Sequence, residues 1–226
     1  MTSTPPRSVL LSWSGGKDSC MALWEMRRAS ELSVATLLTT VTRDYDRISM
    51  HGVRCELLQR QAVSLGLPLQ QVHISKDASN ADYEAAMGQA LSQHRALGIE
   101  QVAFGDLFLE DIRAYRQKLL AAHSMTGVYP IWGRDTQRLA REFIELGFCA
   151  VVVCVDPAKL DSSFVGRVID ASFLADLPAG MDPCGENGEF HTFVFDGPLF
   201  SETVRFSLGE VVSRDGFWFC DLLPQP

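Results

Sequence analysis

Long apolar runs are missing from this chain of 226 residues. No stretch approaches the roughly 20 consecutive apolar residues that cross a bilayer. The opening Met1–Ser8 is polar and carries prolines, without the hydrophobic region of a secretory signal, so the expectation is a cytoplasmic protein with no membrane partner. Positive charge is also scarce: Lys and Arg number 20 against 28 Asp and Glu, for a formal net charge of −8. Broad nucleic-acid surfaces draw on clustered Lys and Arg, so the balance disfavours such a partner and any cationic site must be local. Lysine is rarer than arginine, 4 against 16, a bias common in high-GC bacterial genomes. Cys20, Cys55, Cys149, Cys154, Cys184 and Cys220 form no C-x-x-C pair and no regular spacing, which suits buried, reduced thiols. His73, His94 and His123 share no metal-ligand spacing and read as structural or surface residues.

What is present is the content of a globular enzyme, 46% hydrophobic and 21% charged, in a chain long enough for one large or two modest domains. Short apolar runs alternate with helical patterns: strands over 9–13, 33–41, 70–74 and 101–105, helices over 17–29, 53–65, 81–97 and 111–122. This predicts an α/β fold, a parallel sheet with helices on both faces and a ligand at the carboxyl ends of the strands. Gly127 and Pro130 mark a composition change, which divides the chain into a first domain over 1–128 and a smaller second one over 129–226. A helix over 136–146 and a β-rich run over 149–155 open the second part. Its end, 202–212 and 217–223 around Arg214-Asp215-Gly216, reads as a hairpin with an Asp-Gly turn. Phe217-Trp218-Phe219 suits either a core or the contact of a homodimer.

The chemistry enters directly after the first strand, at Ser14-Gly15-Gly16-Lys17-Asp18-Ser19. Paired glycines let the backbone turn tightly and aim its N–H groups inward, the serines add hydroxyls, and the following helix turns its positive end to an anion. Lys17 supplies a full charge. A Walker A loop needs four residues between its first glycine and the Gly-Lys pair, and nothing upstream of Gly15 supplies that glycine. The run is similar instead to the PP-loop of the ATP pyrophosphatases, whose SGGxDS signature it fits at every fixed position, and that resemblance implies cleavage of ATP between its α and β phosphates. Several thiolating members of that superfamily use paired cysteines, so the scattered thiols weigh against sulfur transfer.

Further motifs follow in order: Gly105-Asp106-Leu107 with Glu110-Asp111-Ile112-Arg113, Pro130-Ile131-Trp132-Gly133-Arg134-Asp135, Gly166-Arg167-Val168-Ile169-Asp170, then Gly185 to Thr192 and Asp196-Gly197-Pro198-Leu199-Phe200. Together, over roughly residues 8 to 200, they resemble the diphthine–ammonia ligase family, the ATP-dependent amidating branch of the PP-loop superfamily. The resemblance implies that a substrate carboxylate is activated as an acyl-adenylate, with release of pyrophosphate, and that ammonia then displaces AMP to give an amide. It implies an ATP-binding domain over 1–128 and a smaller α+β substrate-binding domain over 129–226, ATP and Mg²⁺ as cofactors and, as acceptor, a small carboxylic acid or diphthine on an elongation factor. A tRNA-modifying PP-loop enzyme and a non-catalytic adenine-nucleotide sensor are the alternatives.

Under that reading Ser14, Gly15, Gly16, Lys17, Asp18, Ser19, Gly105 and Asp106 bind the nucleotide. Lys17, Glu186 and Glu189 are catalytic. Asp18 holds the loop or a Mg²⁺, or is simply a first-turn helix acid. Two carboxylates at one turn could orient ammonium or take its protons, although Asn187-Gly188 is also a hairpin signal that would leave Glu186 and Glu189 merely solvated. His51 and Arg54 sit on a charged loop placed for substrate contact or plain surface. Arg113, Arg134, Arg167, Trp132, His191 and Thr192 complete the substrate set. For Arg134 and Arg167 the other reading is an ion pair with Asp135 or Asp170, and for Trp132 a place in the core. The sequence departs from the family where glycine is typical at Asn187 and glutamate at His191. An imidazole there donates, accepts or titrates, whereas a glutamate suits the trimethylammonium of diphthine.

Overall fold

The computed structural model describes residues 5–226; the first four residues of the Met1–Ser8 segment lie outside them. Ten strands and six α-helices run in the order β1 Arg7–Ser12, α1 Lys17–Ala29, β2 Leu32–Thr42, β3 Arg47–Ile48, α2 Cys55–Leu65, β4 Leu69–Ile74, α3 Asn80–Ala96 and β5 Gln101–Ala103. They continue with α4 Glu110–Ala121, β6 Thr126–Val128, α5 Thr136–Glu145, β7 Cys149–Val155, α6 Ala171–Asp176, β8 Phe190–Asp196, β9 Phe206–Arg214 and β10 Phe217–Pro224.

β1 is central in the first sheet, parallel to β2 on one side and β5 on the other, with β6 beyond β5 and β4 beyond β2. Val9, Leu10 and Leu11 are all fully buried, as a strand covered on both faces requires. Their side chains alternate between two cores: Val9 and Leu11 join the cluster with α1 and α2, while Leu10 joins Leu38, Val102, Leu91 of α3 and Leu120 of α4. Helices therefore lie on both faces, as expected. The one antiparallel member, β3, pairs Ile48 and Arg47 with Val41 and Thr42 at the end of β2. Neither this strand nor the three-residue β6 was foreseen, because two or three residues carry no readable period.

The second sheet, in the order β8-β7-β10-β9, is wholly antiparallel. Its β9–β10 pair is the expected hairpin: Phe217 pairs with Arg214 across Asp215 and Gly216, whose φ values of +50° and +84° are what a primed two-residue turn demands. β9 starts at Phe206 rather than near residue 202, because Val204 donates its N–H to Phe195 before the strand begins. A second correction concerns Asn187-Gly188, which joins no pair of strands. Residues 182–189 instead form successive turns, closed by Gly185 N–H to Asp182 O and Gly188 N–H to Gly185 O, that deliver the chain into β8.

The two sheets share one hydrophobic cluster that extends from Val9 of β1 to Leu222 of β10. Trp24 of α1 packs edge-on against Phe148, just before β7, with ring centroids 5.9 Å apart. Among the described residues no helix is long and apolar enough to cross a membrane, and all six cysteines are free thiols.

Candidate active site

The Ser14–Ser19 loop leaves the carboxyl end of β1 and opens α1. Gly15 turns at φ +76°, and a Cβ there would meet Gln61 Oε1 at 2.8 Å, so the position admits only glycine. The loop is held by side chains far away in sequence. Gln61 of α2 is fully buried; its Nε2 donates to Gly15 O at 3.0 Å and Val194 O at 2.6 Å, and its Oε1 accepts from Trp13 Nε1 at 3.0 Å. Val194 N–H donates to Gly15 O at 2.9 Å from β8.

α1 has no side-chain cap from its cap residue: Gly16 is the extended cap position, its own N–H donates to Ser14 Oγ at 3.3 Å, and Lys17 N–H donates to Thr192 Oγ1 of β8 at 3.0 Å. The helix thus keeps first-turn amides available to an anion. Ser19 Oγ donates to Gly16 O at 2.9 Å and lies 3.2 Å from Ser14 Oγ. Lys17 is 3% exposed; its ammonium donates to both oxygens of Asp18, at 2.9 and 2.8 Å, and to the Cys184 carbonyl. Burial lowers its pKa, but Asp18, Cys184 and Glu186 outweigh this and hold it charged, above its ordinary value. Asp18 is raised, first by burial, against the pull of Lys17.

Above the loop lies a cleft of about 400 Å³. One wall comes from the β5–α4 connection and the 182–189 turn. Gly105 packs so closely on α1 that a Cβ would meet the Asp18 carbonyl carbon at 2.6 Å. Leu107 N–H donates to Glu186 Oε1 at 2.7 Å, Glu186 N–H donates to Asp182 Oδ2 at 2.7 Å, and Asp106 pairs with Arg116 at 2.9 Å. Burial and the charges of Asp18 and Asp106 push the Glu186 carboxyl up to about 7, against the Leu107 hydrogen bond and Lys17. The other wall is an imidazole pair, His51 and His191, with ring centroids 4.6 Å apart and His51 Nδ1 3.3 Å from Thr192 O. Burial holds both neutral, His51 down to about 3, helped by His191, and His191 down to about 4, helped by Lys17.

Ser14, Gly16, Lys17, Asp18, Ser19, Gly105, Asp106, Glu186, His51, His191 and Thr192 therefore line one cleft, with Gly15 clamped beneath it. The other sequence-derived residues stand outside its lining. Glu189 is 3% exposed under the turn, where Oε1 accepts from Asp182 N–H and Asn187 Nδ2, at 3.3 and 3.1 Å, and Oε2 has no partner among the described residues. Neither glutamate is the merely solvated carboxylate a hairpin would have left. Arg54 forms two hydrogen bonds with Asp221 of β10. Arg113 stacks on Tyr129 and Trp132, 4.9 and 4.4 Å from their centroids. Arg134 bridges Glu25 and Glu142, and Arg167 pairs with Asp176 rather than Asp170. Sequence reasoning missed Gln61 and Arg116. Gln61 had a signal, a lone amide on the apolar Leu57, Leu58, Ala62, Leu65 face of α2; Arg116 had none.

A glycine-rich loop between a central parallel strand and a helix, with a site at the strands' carboxyl ends, defines a PP-loop α/β protein. Residues 7–125 match the family model of the diphthamide synthase N-terminal domain, and residues 135–222 that of the diphthamide synthase C-terminal domain; the chain belongs to the diphthamide synthase family. It is 26% identical over 227 residues to the diphthine–ammonia ligase of Danio rerio, covering 90% of this chain and 89% of that protein. The human diphthine–ammonia ligase is 23% identical over 229 residues, with coverage of 90% and 85%. That of Schizosaccharomyces pombe is 24% identical over 229 residues, 92% of this chain but 38% of the yeast protein.

Proposed function

We propose that the protein is an ATP-dependent ligase that converts a carboxylic acid to its amide through an acyl-adenylate, acting in the cytoplasm, with residues 1–128 as the nucleotide domain and 129–226 as the acceptor domain. The observation that carries the reading is the joining of two chemistries in one cleft: a phosphate cradle with a buried, charged Lys17, and a carboxyl, Glu186, poised near neutral pH.

A carboxylate resists ammonia because its leaving group would be oxide. Attack of a carboxylate oxygen on the α-phosphorus of ATP forms the acyl-phosphate bond and breaks the Pα–O–Pβ link, and pyrophosphate leaves. The amides opening α1, the Ser14 and Ser19 hydroxyls and Lys17 suit the charge that develops there, each such donor contributing on the order of 3 kcal/mol. Ammonia nitrogen then attacks the acyl carbon and the bond to AMP breaks. Ammonium must first lose a proton, and Glu186 suits both the capture and the deprotonation. As a carboxylate it attracts the cation, and a pKa of about 7 lets it take the proton. Next to the loop, a second cavity of about 400 Å³ lined by Leu38, Met87, Leu91, Val102 and Phe104 shares Ser12, Phe104, Ile112 and Arg116 with the cleft, and its size and apolar lining suit adenosine.

Among the described residues no group of three His, Cys, Asp or Glu could hold a metal by itself. The carboxylate of Asp18, which lines the cleft beside the loop, fits Mg²⁺ all the same, because this ion takes one or two carboxylates and fills its shell with phosphate oxygens and water. Asp18 would hold it, and the ion would neutralise charge on the phosphates.

The test is acid-dependent exchange of labelled pyrophosphate into ATP, run across a panel of carboxylic acids. Exchange with one class of acid and none without it supports the reading; turnover of ATP to ADP with the same acids would sink it.

A further inference from the structure

The imidazole wall continues outward past Met50, which borders both the cleft and a third cavity of about 400 Å³. That outer cavity is enclosed by the β2–β3 connection, the β4–α3 connection and the tip of the β9–β10 hairpin. Tyr45, Phe217 and Phe219 give it an aromatic surface. Its ionisable side chains are Arg47, Lys76, Arg214 and Asp215, with Tyr45 and Tyr83 as the phenols. Arg47 is already paired with Asp221 at 2.8 Å. Lys76 and Arg214 have no ion-pair partner among the described residues, and the Arg214 guanidinium lies 4.7 Å from the Tyr45 ring centroid. Of the three rings that could cradle a foreign cation, Tyr45 is thus occupied by a resident one.

Charge divides the site. Asp18, Asp106 and Glu186 make the β5–α4 wall acidic and suited to ammonium, whereas the path from His51 and His191 past Met50 offers neutral rings and then the side chains of Lys76 and Arg214, with Asp215 as the one lining carboxylate and Asp44 bound to the Lys76 N–H at 2.8 Å. We infer that the acceptor lies along this second path, and that it is a small carboxylic acid whose far end carries a second anionic group, held by Arg214 and Lys76, rather than the quaternary ammonium of diphthine. The inference rests on the amide-forming reading above and names its acceptor class.

Three probes that share a three-methylene chain ending in a carboxylate separate the charges: glutarate, 5,5-dimethylhexanoate, whose far end is tert-butyl, and its trimethylammonium isostere 4-(trimethylammonio)butanoate. Binding to the full-length protein with ATP and Mg²⁺ present is measured by calorimetry, with pyrophosphate release followed separately. The expected order is glutarate, then the tert-butyl acid, then the trimethylammonium acid, with at least tenfold between the ends of the series. Arg214→Gln is expected to weaken glutarate at least fivefold and to leave the tert-butyl acid within twofold at an unchanged melting temperature. Tightest binding of the trimethylammonium acid, no measurable binding of any probe, or an Arg214→Gln effect equal for all three would overturn the inference. The expected binding order with no pyrophosphate released would instead fault the adenylating reading alone, and pyrophosphate release with the order reversed would fault the acceptor class alone.

Discussion

The two sheets contribute to the cleft in opposite ways. The parallel sheet delivers six consecutive residues, Ser14–Ser19, at the end of one strand, and the backbone performs most of the work. The antiparallel sheet delivers single groups from separate places, the Cys184 carbonyl and the Glu186 carboxyl from a turn and His191 and Thr192 from β8, while Asp221 of β10 braces Arg47 and Arg54 from outside the cleft. The loop alone can hold phosphates. Fixing Lys17, which donates to Cys184 O and whose N–H is capped by Thr192, needs the second sheet. Under the proposed function, a nucleotide site is thus made dependent on acceptor-side structure, which would tie binding of one substrate to the geometry of the other.

Substitutions can break this dependence at graded cost. Lys17→Ala is expected to have the largest effect, a loss of about 10³-fold in turnover, because it removes the one full positive charge on the cradle; the released Asp18 carboxylate also loses its partner, so melting temperature should be read alongside the rate. Glu186→Gln should cost about 10²-fold and change the pH profile. In the wild type the rate is expected to rise and level off through a pH of about 7 as the carboxyl ionises, and in the variant the inflection of that limb should vanish, the rate following free ammonia instead. An inflection that persists would move the proton-accepting role elsewhere.

Thr192→Val removes the cap on Lys17 N–H from the antiparallel side while keeping the shape. We expect a cost of about 1 kcal/mol in stability and a rise in the KM for ATP larger than the fall in kcat. Asp221→Asn tests the most remote strut. Asp221 accepts from Arg47 and twice from Arg54, pinning the loop that carries His51, and those bonds hold its carboxyl below the ordinary aspartate value although burial opposes them. A carboxyl lowered in the folded state contributes stability that is complete above the ordinary aspartate pKa and is lost as pH falls below it. The variant should lose about 1.5 kcal/mol near neutral pH by chemical denaturation and converge on the wild type in acid. A constant difference at every pH would mean the pairs matter little.

The contrast between the sheets also explains what could be read before the structure. The loop and the alternation of strands and helices were legible because their signals are local: a strand, two glycines and a helix stand in sequence. The Asp215-Gly216 hairpin was legible for the same reason. Asn187-Gly188 carries the same kind of signal and misled, because Glu189 and Asp182 bind the turn from within and direct it into β8 instead of back along a partner strand. His51 and His191 were both assigned to the substrate set, but their contact ring against ring was not readable, since 140 residues separate them and only the packing of the β2–α2 connection on β8 brings the rings together. Arg54 and Arg134, chosen for charge and context, were met by Asp221, Glu25 and Glu142, acids too distant in sequence for any spacing rule.

The central claim, that a carboxylate is activated on the α-phosphate in a cleft shared by both sheets, is tested most directly by oxygen tracing. With an acceptor acid labelled with ¹⁸O in its carboxylate, ATP and ammonium, one labelled oxygen should appear in AMP for each amide formed, with unlabelled pyrophosphate. Label in inorganic phosphate, accompanied by ADP, would contradict it.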